Sequence, residues 1–369
     1  MKIRTSLVAI AAFASVTSLA ACGAPEKKAD DSSASAATAA SADDLGGLGK
    51  LQAAAEKEGA LTTIALPHDW ANYGKIIDGF KAKYPKIKVT ELNPGAGSQD
   101  EVDAIKGLPN DPDVLDVGQA VAYANFDKFA PYKVANFDTI PDNLKDPDGT
   151  VVNDYSGYMA IGYDSSKVPA ITSLDDLLKP AYKGKVVFSG DPTTSAEGAN
   201  SVLYAALIKG GSTDDIQPGL DFMKQMKKAG TFNPVEVSKD TLANGTTPVV
   251  FGWGYNQLSY ASAIPTWKVW ASDQVGLAGP YFQAINKDAP HPAAARLWEE
   301  YLYSDDVQNL FLAGGAVPAR IDDMTKAGSV DSAAQAALPN TPANVTVPTV
   351  DQTEKVGTQL AAGWAKAIG

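Results

Sequence analysis

The sequence predicts an α/β protein with two similar lobes. The chain has 369 residues, which is more than a single hydrophobic core usually holds. Short apolar runs alternate with amphipathic stretches over Leu61–Val117, and the same alternation returns over Lys185–Ala313. Strands and helices that alternate at this spacing are typical of a parallel sheet flanked by helices. We therefore predict that each lobe holds a mixed, mainly parallel sheet with helices on its faces.

The first half of the folded part begins near Leu48. Leu48, Leu51 and Ala55 lie at helical spacing, and Gly59 is a typical helix stop. The apolar positions from Tyr73 to Tyr84 form the stripe of a second helix. The predicted elements are a helix ending at Gly59, strand Leu61–Leu66, helix Tyr73–Tyr84, strand Ile87–Leu92, helix Asp100–Lys106 and strand Val114–Val117.

The second half repeats the pattern without repeating the sequence. A polar turn over Ser189–Ser195 separates a strand from a helix, and Pro218 falls where the first turn of a helix tolerates it. The predicted elements are strand Lys185–Phe188, helices Ser195–Lys209 and Asp214–Ala229, strand Pro248–Trp253, a helix from Asn256, extended chain Val275–Ile285, and helices Pro292–Ser304 and Asp305–Ala313.

The N-terminus has the layout of a secretory signal peptide. Basic residues precede an apolar run over Leu7–Val16, which is too short to span a membrane, and small residues follow. The last of these residues, Leu19-Ala-Ala-Cys22, resemble a bacterial lipobox, which implies that Cys22 carries lipid. Cys22 is the only cysteine, so the alternative is a secreted protein with a stray cysteine. We predict a signal peptide over 1–21 and a flexible tether of roughly 30 Å over 22–49.

Composition excludes several classes of function. A net charge of −12 argues against nucleic acid as a partner, and it fits either a cationic ligand or plain solubility. The chain lacks a P-loop, G-x-S-x-G and G-x-G-x-x-G, and its two histidines form no zinc-spaced cluster. We therefore predict no cofactor, no metal and no enzyme activity. A hydrolase based on Asp and Glu stays open, because paired carboxylates leave no local signature.

Five segments in order resemble the extracellular solute-binding proteins of bacterial ABC importers. The resemblance is to the branch that binds ferric iron, thiamine, aminoethylphosphonate and polyamines such as spermidine and putrescine. The segments are LQAAAEKEGALT at 51–62, TSLDDLLKPAYKGKV at 172–186, HPAAARLW at 291–298, SDDVQ at 304–308 and AVPAR at 316–320.

The resemblance implies a two-lobed periplasmic-binding-protein fold of type II, with the ligand between the lobes. The chain then crosses near Tyr158–Tyr163 and again near Asp273–Ile285. We assign 50–160 and 275–313 to lobe 1, and 161–274 and 314–369 to lobe 2. It also implies a monomer, anchored by lipid on the outer face of the cytoplasmic membrane, that delivers a small solute to a permease and ATPase complex.

Ligands of α/β sheets bind beyond the carboxyl ends of strands, which selects three places in lobe 1. Asp69, Trp70 and Tyr73 follow the first strand, where Asp69 either meets a cation or caps a helix. Ser98 lies in a loop of small residues after the second strand. Asp116 ends the third strand where burial is expected, so it needs either a cationic ligand or a nearby lysine as partner.

The same rule selects two places in lobe 2. Thr194, Ser195 and Glu197 begin a helix, where the hydroxyls either cap it or hold an anionic group. Trp253, Tyr255 and Asn256 follow a strand, at the position where ferric binders of the branch carry adjacent tyrosines. The single tyrosine here disfavours iron.

We therefore predict a small organic cation or zwitterion that resembles a polyamine, thiamine or an aminophosphonate, held partly by cation–π contact. Ferric iron stays as an alternative ligand. A carboxylate-based hydrolase or an adhesion lipoprotein at the cell surface stays as an alternative function.

Overall fold

The computed structural model describes residues 31–338 and 342–369, so the predicted signal peptide and Cys22 lie outside the described residues. The helices are α1 Asp31–Thr38, α2 Leu48–Glu58, α3 Tyr73–Lys83, α4 Ser98–Asp103, α5 Gln119–Ala124, α6 Ala196–Ile208, α7 Gln217–Ala229, α8 Lys239–Ala243, α9 Gly254–Ala263, α10 Pro292–Leu302, α11 Asp305–Ala313, α12 Ile321–Ala327, α13 Ser332–Ala337 and α14 Val350–Ile368.

The strands are β1 Ala60–Ile64, β2 Lys88–Leu92, β3 Val114–Gly118, β4 Phe129–Ala130, β5 Val152–Asp164, β6 Val186–Phe188, β7 Val249–Trp253, β8 Trp267–Trp270, β9 Val275–Asn286, β10 Val317–Pro318 and β11 Asn344–Thr346. The predicted elements agree with these bounds to within a few residues. The elements that did not follow from the sequence are helices α1, α5, α8 and α12 to α14 and strands β4, β8, β10 and β11.

Lobe 1 packs α2, α3 and α10 against β1 to β4. Ile76 and Phe80 on α3 meet Trp298 and Tyr301 of α10, and all four side chains are buried. Helix α2 ends where predicted, because Gly59 adopts the left-handed conformation that stops a helix, with φ 72°.

Lobe 2 packs α6, α7 and α14 around β6 and β7. Phe222 on α7 and Phe251 on β7 are buried, and Trp364 on α14 packs against Phe188 of β6. The C-terminal helix therefore closes the lobe 2 core.

Two long strands, β5 and β9, connect the lobes. The first half of β5 pairs antiparallel with β9, and its second half pairs antiparallel with β7 and β8. Strand β3 of lobe 1 also pairs antiparallel with β9. The prediction of mainly parallel sheets is therefore wrong in detail. Among the strands of the described part of the chain, parallel pairing is limited to β1–β2, β6–β7 and β11–β9, and the crossing strands run antiparallel to their other partner strands.

Residues 317–338 lie on lobe 1, although the sequence placed everything after 313 in lobe 2. The Arg320 guanidinium donates to the Thr139 hydroxyl and the Tyr303 carbonyl, and it pairs with Asp305 at 2.7 Å. Only β11 and α14 return to the lobe 2 side.

The predicted tether is also corrected where it is described. Residues 31–49 pack on lobe 1 instead of extending freely, and Ala36 and Ala39 are buried there. The buried Arg296 guanidinium donates to the carbonyls of Ala37 and Ala39, which holds this segment against α10. The small alanine side chains allow this segment to approach α10 closely. From composition alone, the same alanine-rich segment is predicted to be disordered.

No helix within residues 31–338 and 342–369 is long and apolar enough to cross a membrane.

Candidate ligand site between the lobes

Five aromatic side chains meet where the two lobes face each other, and we call them the aromatic cluster: Trp70, Tyr155, Trp253, Tyr255 and Tyr281. Trp70 follows β1 in lobe 1, and its ring centroid lies 5.1 Å from that of Tyr255 on α9 of lobe 2. Tyr155 on β5 and Tyr281 on β9 stack with an interplanar angle of 6° at 5.5 Å. Ring contact thus joins both lobes and both crossing strands.

A glycine pair on the crossing strands makes room for the lobe 2 rings. Gly157 of β5 lies directly opposite Gly279 of β9. A Cβ on Gly157 would lie 2.5 Å from Tyr255 Cε1, and a Cβ on Gly279 would overlap the indole of Trp253. The rings of Trp253 and Tyr255 can lie on these strands only because both positions lack side chains.

Asp116 supplies a carboxylate from lobe 1. Its Oδ2 accepts a hydrogen bond from the Tyr155 hydroxyl at 3.0 Å, and that hydroxyl accepts one from Trp70 Nε1 at 2.6 Å. Its Oδ1 is buried without a hydrogen-bond partner. Burial raises the pKa of Asp116 to about 7, although the Tyr155 hydrogen bond opposes the rise.

Other buried carboxylates surround Asp116 in lobe 1. Glu101 on α4 accepts from the Asp116 backbone N–H, and Asp154 on β5 accepts from Tyr73 and Gln283. Burial and the charge of Asp116 both hold the pKa of Glu101 and of Asp154 well above the usual range. No lysine, arginine or histidine forms an ion pair with these three carboxylates among the residues that the structure describes.

Glu197 supplies a second carboxylate from lobe 2. It lies in the first turn of α6, and its Oε1 accepts from the Trp253 backbone N–H at 2.6 Å and from Asn256 Nδ2 at 3.2 Å. Burial raises the pKa of Glu197 to about 7. The site therefore places buried carboxylates on both lobes with aromatic rings between them. Such a site can exclude water around a small solute and attract positive charge.

A model of the bacterial extracellular solute-binding proteins matches residues 120–353, which is more than half of the chain. The chain belongs to this family. Solute-binding proteins of this kind are the substrate-binding components of ABC transporters and act outside the cytoplasm, with a permease and an ATPase as partners. The family consists of transport proteins rather than enzymes.

Solved structures show the same two-lobed fold at low sequence identity. An ABC transporter substrate-binding protein from Bradyrhizobium japonicum has a TM-score of 0.65 and 15% identity, and the match covers 84% of this chain and 100% of that one. A periplasmic thiamin-binding protein has a TM-score of 0.64 at 16% identity, over 84% and 96% of the two chains. Apo ferric ion-binding protein A from Pasteurella haemolytica has a TM-score of 0.56 at 18% identity, over 84% and 96%. No protein with a curated description matches this chain.

The solute-binding protein brings six of the predicted site residues together. Trp70 and Asp116 of lobe 1 meet the aromatic cluster through Tyr155, and the other four residues come from lobe 2: Glu197, Trp253, Tyr255 and Asn256. The sequence left open a lysine partner for Asp116. The structure instead supplies the Tyr155 hydroxyl.

Five other predicted residues have different contacts. The Tyr73 hydroxyl points into lobe 1 and donates to Asp154, and Ser98 Oγ accepts from the Gly118 N–H, so both tie elements of lobe 1 together. Asp69 does not cap α3, whose N-cap residue is Asn72. Asp69 pairs with Lys239 of lobe 2 at 2.9 Å. That exposed pair links the lobes beside the site.

The turn before α6 is arranged as a helix cap. Ser195 Oγ accepts from the Gly198 N–H at 3.3 Å, and Thr194 is exposed. Of the two interpretations that the sequence left open, this hydrogen bond has the geometry of the cap, and the anion-binding interpretation stays a prediction.

Tyr155 and Tyr281 were not among the predicted site residues. Both lie within strands that cross between the lobes, and not beyond the carboxyl end of a strand, where ligand-binding residues of α/β sheets are expected. Gln257 on α9 was missed for a related reason, whereas Ser189 lies in the polar turn after β6 that the sequence did indicate. The available signal was the predicted crossover near 273–285, which contains Tyr281, whereas Tyr155 lies just before the predicted crossover near 158–163.

Proposed function

We propose that this solute-binding protein captures a small organic cation or zwitterion between its lobes and delivers it to an ABC importer. One observation carries the proposal: the buried Asp116 has a free Oδ1 beside the aromatic cluster, and no basic side chain of the described residues pairs with it. A buried carboxylate without a cation is costly, so a positively charged solute is the partner that would relieve it.

The aromatic cluster supports the same ligand class. Indole and phenol rings attract cations through their faces, and they cover the apolar parts of an organic solute at the same time. The periplasmic thiamin-binding protein has the same fold, which makes thiamine, an organic cation, a first compound to test. Polyamines and aminophosphonates complete the test set.

Titration of the full-length protein with putrescine, thiamine, 2-aminoethylphosphonate and inorganic phosphate tests the ligand class. We expect tryptophan fluorescence to respond to at least one organic cation or zwitterion, since Trp70 and Trp253 line the site. Mass spectrometry of solutes that co-purify with the native protein should find the same class. Binding of phosphate alone would contradict the proposal.

A second candidate, ferric iron, is favoured by one arrangement. Three tyrosines of the aromatic cluster lie close together beside the Asp116 carboxylate. The ring centroid of Tyr155 lies 5.9 Å from that of Tyr255 and 5.5 Å from that of Tyr281. Phenolate and carboxylate oxygens are hard ligands that suit a hard cation. Addition of ferric citrate then produces a visible phenolate-to-iron charge-transfer band, whereas an organic-cation site stays colourless.

We also propose that Cys22 anchors the protein to the outer face of the membrane through lipid. The lipobox-like end of the signal peptide and the extracellular character of the family support this location. A Cys22→Ser variant should be released from membranes or remain unprocessed. Unchanged detergent partitioning of this variant would contradict the anchor.

The hydrolase alternative predicts consumption of the solute. We expect the solute to be recovered intact after prolonged incubation with the protein, whereas a hydrolase would convert it.

A further inference from the structure

The end of lobe 1 opposite the aromatic cluster is a separate surface, which we call the base. Strands β1 to β4 begin at this end and β9 finishes there. Tyr281 of β9 pairs with Gly118 near the aromatic cluster, whereas Ile285 pairs with Val114 at the base. The segments of the base are 57–59, 83–88, 104–113, 125–128 and 286–291.

Hydrogen bonds join these segments into one surface. Three of them link backbone groups of neighbouring segments: Lys88 N–H to the Gly59 carbonyl, Asn286 N–H to the Asp113 carbonyl and Lys287 N–H to the Lys128 carbonyl. Side chains that are far apart in the sequence therefore share one face of the protein.

The base is rich in lysine, although the chain as a whole has a net charge of −12. Its lysines, all exposed except the half-buried Lys128, are Lys57, Lys83, Lys86, Lys88, Lys106, Lys128 and Lys287. The exposed carboxylates of the same segments are Asp127 and Asp288, and Lys86 pairs with Glu56 beside them at 2.6 Å. The other carboxylates of the base accept backbone N–H groups and are buried or half-buried: Glu58, Asp111 and Asp113. Positive charge is therefore in excess where the base meets solvent.

Two large apolar side chains are exposed on the same surface. Leu108 is 50% exposed in the loop that leads to β3, and Phe126 is 37% exposed in the turn before β4. Lysines combined with exposed leucine and phenylalanine are typical of surfaces that lie on lipid headgroups. A nucleic acid would use the lysines and leave the apolar side chains without a partner.

The N-terminal segment enters the fold at the base. The Ser33 side chain of α1 hydrogen-bonds to Glu58, which also accepts N–H groups from the first turn of α10. Arg296 holds the following residues against α10. Nine residues lead from Cys22 to the start of α1, and even fully extended they span at most about 30 Å. A lipid on Cys22 therefore keeps the base near the membrane, whereas a tether that was free as far as residue 49 would reach about three times as far.

We propose that the base of lobe 1 rests on an anionic phospholipid surface. The lysine ammonium groups meet lipid phosphates, and Leu108 and Phe126 enter the headgroup layer. The aromatic cluster lies at the opposite end of lobe 1, so the cleft stays open to solute in this orientation. This inference rests on the proposed lipid anchor for nearness to the membrane, but the contact itself needs no lipid on Cys22.

Sedimentation with lipid vesicles tests the contact without the anchor. The parent chain for the test starts at residue 22 with Cys22→Ser, so it keeps every described residue and carries no lipid. Vesicles of phosphatidylglycerol and phosphatidylcholine in equal parts are compared with vesicles of phosphatidylcholine alone. The double change Lys88→Gln, Lys287→Gln removes two charges from the base. Lys224→Gln, Lys228→Gln removes two charges from exposed positions of α7 in lobe 2 and serves as the matched control.

We expect the parent chain to bind the anionic vesicles about tenfold or more tightly than the neutral ones, and high salt to abolish the difference. The double change in the base should weaken binding to anionic vesicles about tenfold or more, since each lysine near such a surface contributes about fivefold. The control should weaken it less than about threefold. Equal binding to both kinds of vesicle, or an equal loss in the two double variants, would overturn the inference.

A dye on a single introduced cysteine tests which end of the protein meets the lipid, because Cys22 is the only cysteine of the chain. Asn110→Cys places the dye on the base, and Ser262→Cys places it on an exposed position of α9 in lobe 2. We expect quenchers carried by the lipid to dim the dye at 110 and not at 262, and the reverse result would contradict the orientation.

The contact and the anchor fail in different ways. A parent chain that ignores anionic vesicles, together with an acylated protein that stays in the membrane fraction, would refute the contact and leave the anchor intact. Vesicle binding by the parent chain, together with unchanged membrane partitioning of Cys22→Ser in cells, would support the contact and refute the anchor.

Discussion

Replacement of Asp116 by asparagine separates the stability of the ligand-free protein from its affinity. The change removes one negative charge and keeps the shape of the side chain. The asparagine oxygen can still accept the hydrogen bond that the Tyr155 hydroxyl now donates to Oδ2. The charge beside the aromatic cluster is lost, and an NH2 group replaces the second carboxylate oxygen.

The pKa of Asp116 gives the size of the stability effect. Burial raises it from 3.8 to about 7, so the protonated carboxyl is the form that the ligand-free fold favours. Stability from this group is complete below the unfolded pKa of 3.8 and is lost as pH rises through about 7. At about pH 8 the ionised carboxylate destabilises the fold by about 4 kcal/mol, on the order of 1.4 kcal/mol per pKa unit. Asp116→Asn should therefore stabilise the ligand-free protein at alkaline pH and change it little at about pH 4.

Affinity should change in the opposite direction. Removal of one partner from a buried ion pair costs about 3–5 kcal/mol, which is roughly two to four decades in affinity for a cationic solute. The variant should thus be more stable and bind worse. Replacement of a residue that serves packing alone would not combine higher stability with weaker binding.

Urea denaturation across the pH range, together with calorimetric titration of the cation found to bind, measures both effects. Asp111→Asn is the control, because Asp111 is a buried lobe 1 carboxylate that accepts only backbone N–H groups of its own loop. We expect this control to lose stability and keep its affinity. The reasoning is refuted if Asp116→Asn fails to gain stability at alkaline pH while it binds the cation normally.

Three further changes test the surroundings of the site. Lys239→Ala removes the exposed interlobe pair with Asp69 and should weaken affinity for the cation less than about fivefold. High salt screens the same pair, so titrations at two ionic strengths should show that the difference in affinity between the variant and the unmodified protein disappears at high salt. Gly279→Ala adds a methyl group that overlaps the buried indole of Trp253, so it should destabilise the fold by about 1–3 kcal/mol and shift tryptophan emission. Unaltered emission would contradict the close packing of Trp253 on Gly279. The double change Thr194→Ala, Ser195→Ala should cost about 1 kcal/mol of stability, measured by melting, and leave cation affinity intact, whereas a larger loss of affinity would favour the anion-binding interpretation of this turn.

Local patterns predicted the elements and part of the site. Apolar spacing located α3, and Gly59 marked the end of α2, because both signals depend on neighbours within one or two turns. The position of Trp253 at the end of a strand and of Glu197 at a helix start likewise pointed to the site. Composition was a poor guide for residues 31–49, since alanine-rich segments are disordered when free and ordered when they find a buried partner such as Arg296.

The sequence by itself determined the two α/β halves, the acidic chain, the lipobox-like N-terminus and the strands that carry Asp116 and Trp253. Only the tertiary structure decided what faces those residues. Trp70 reaches Tyr155 over 85 positions, and Glu197 reaches the Trp253 backbone over 56, both through the packing of separate elements. Whether a buried carboxylate meets a lysine, a hydroxyl or a solute depends on which strands lie beside it. Pairing between distant strands is set by the free energy of the whole fold, so no local pattern contains it.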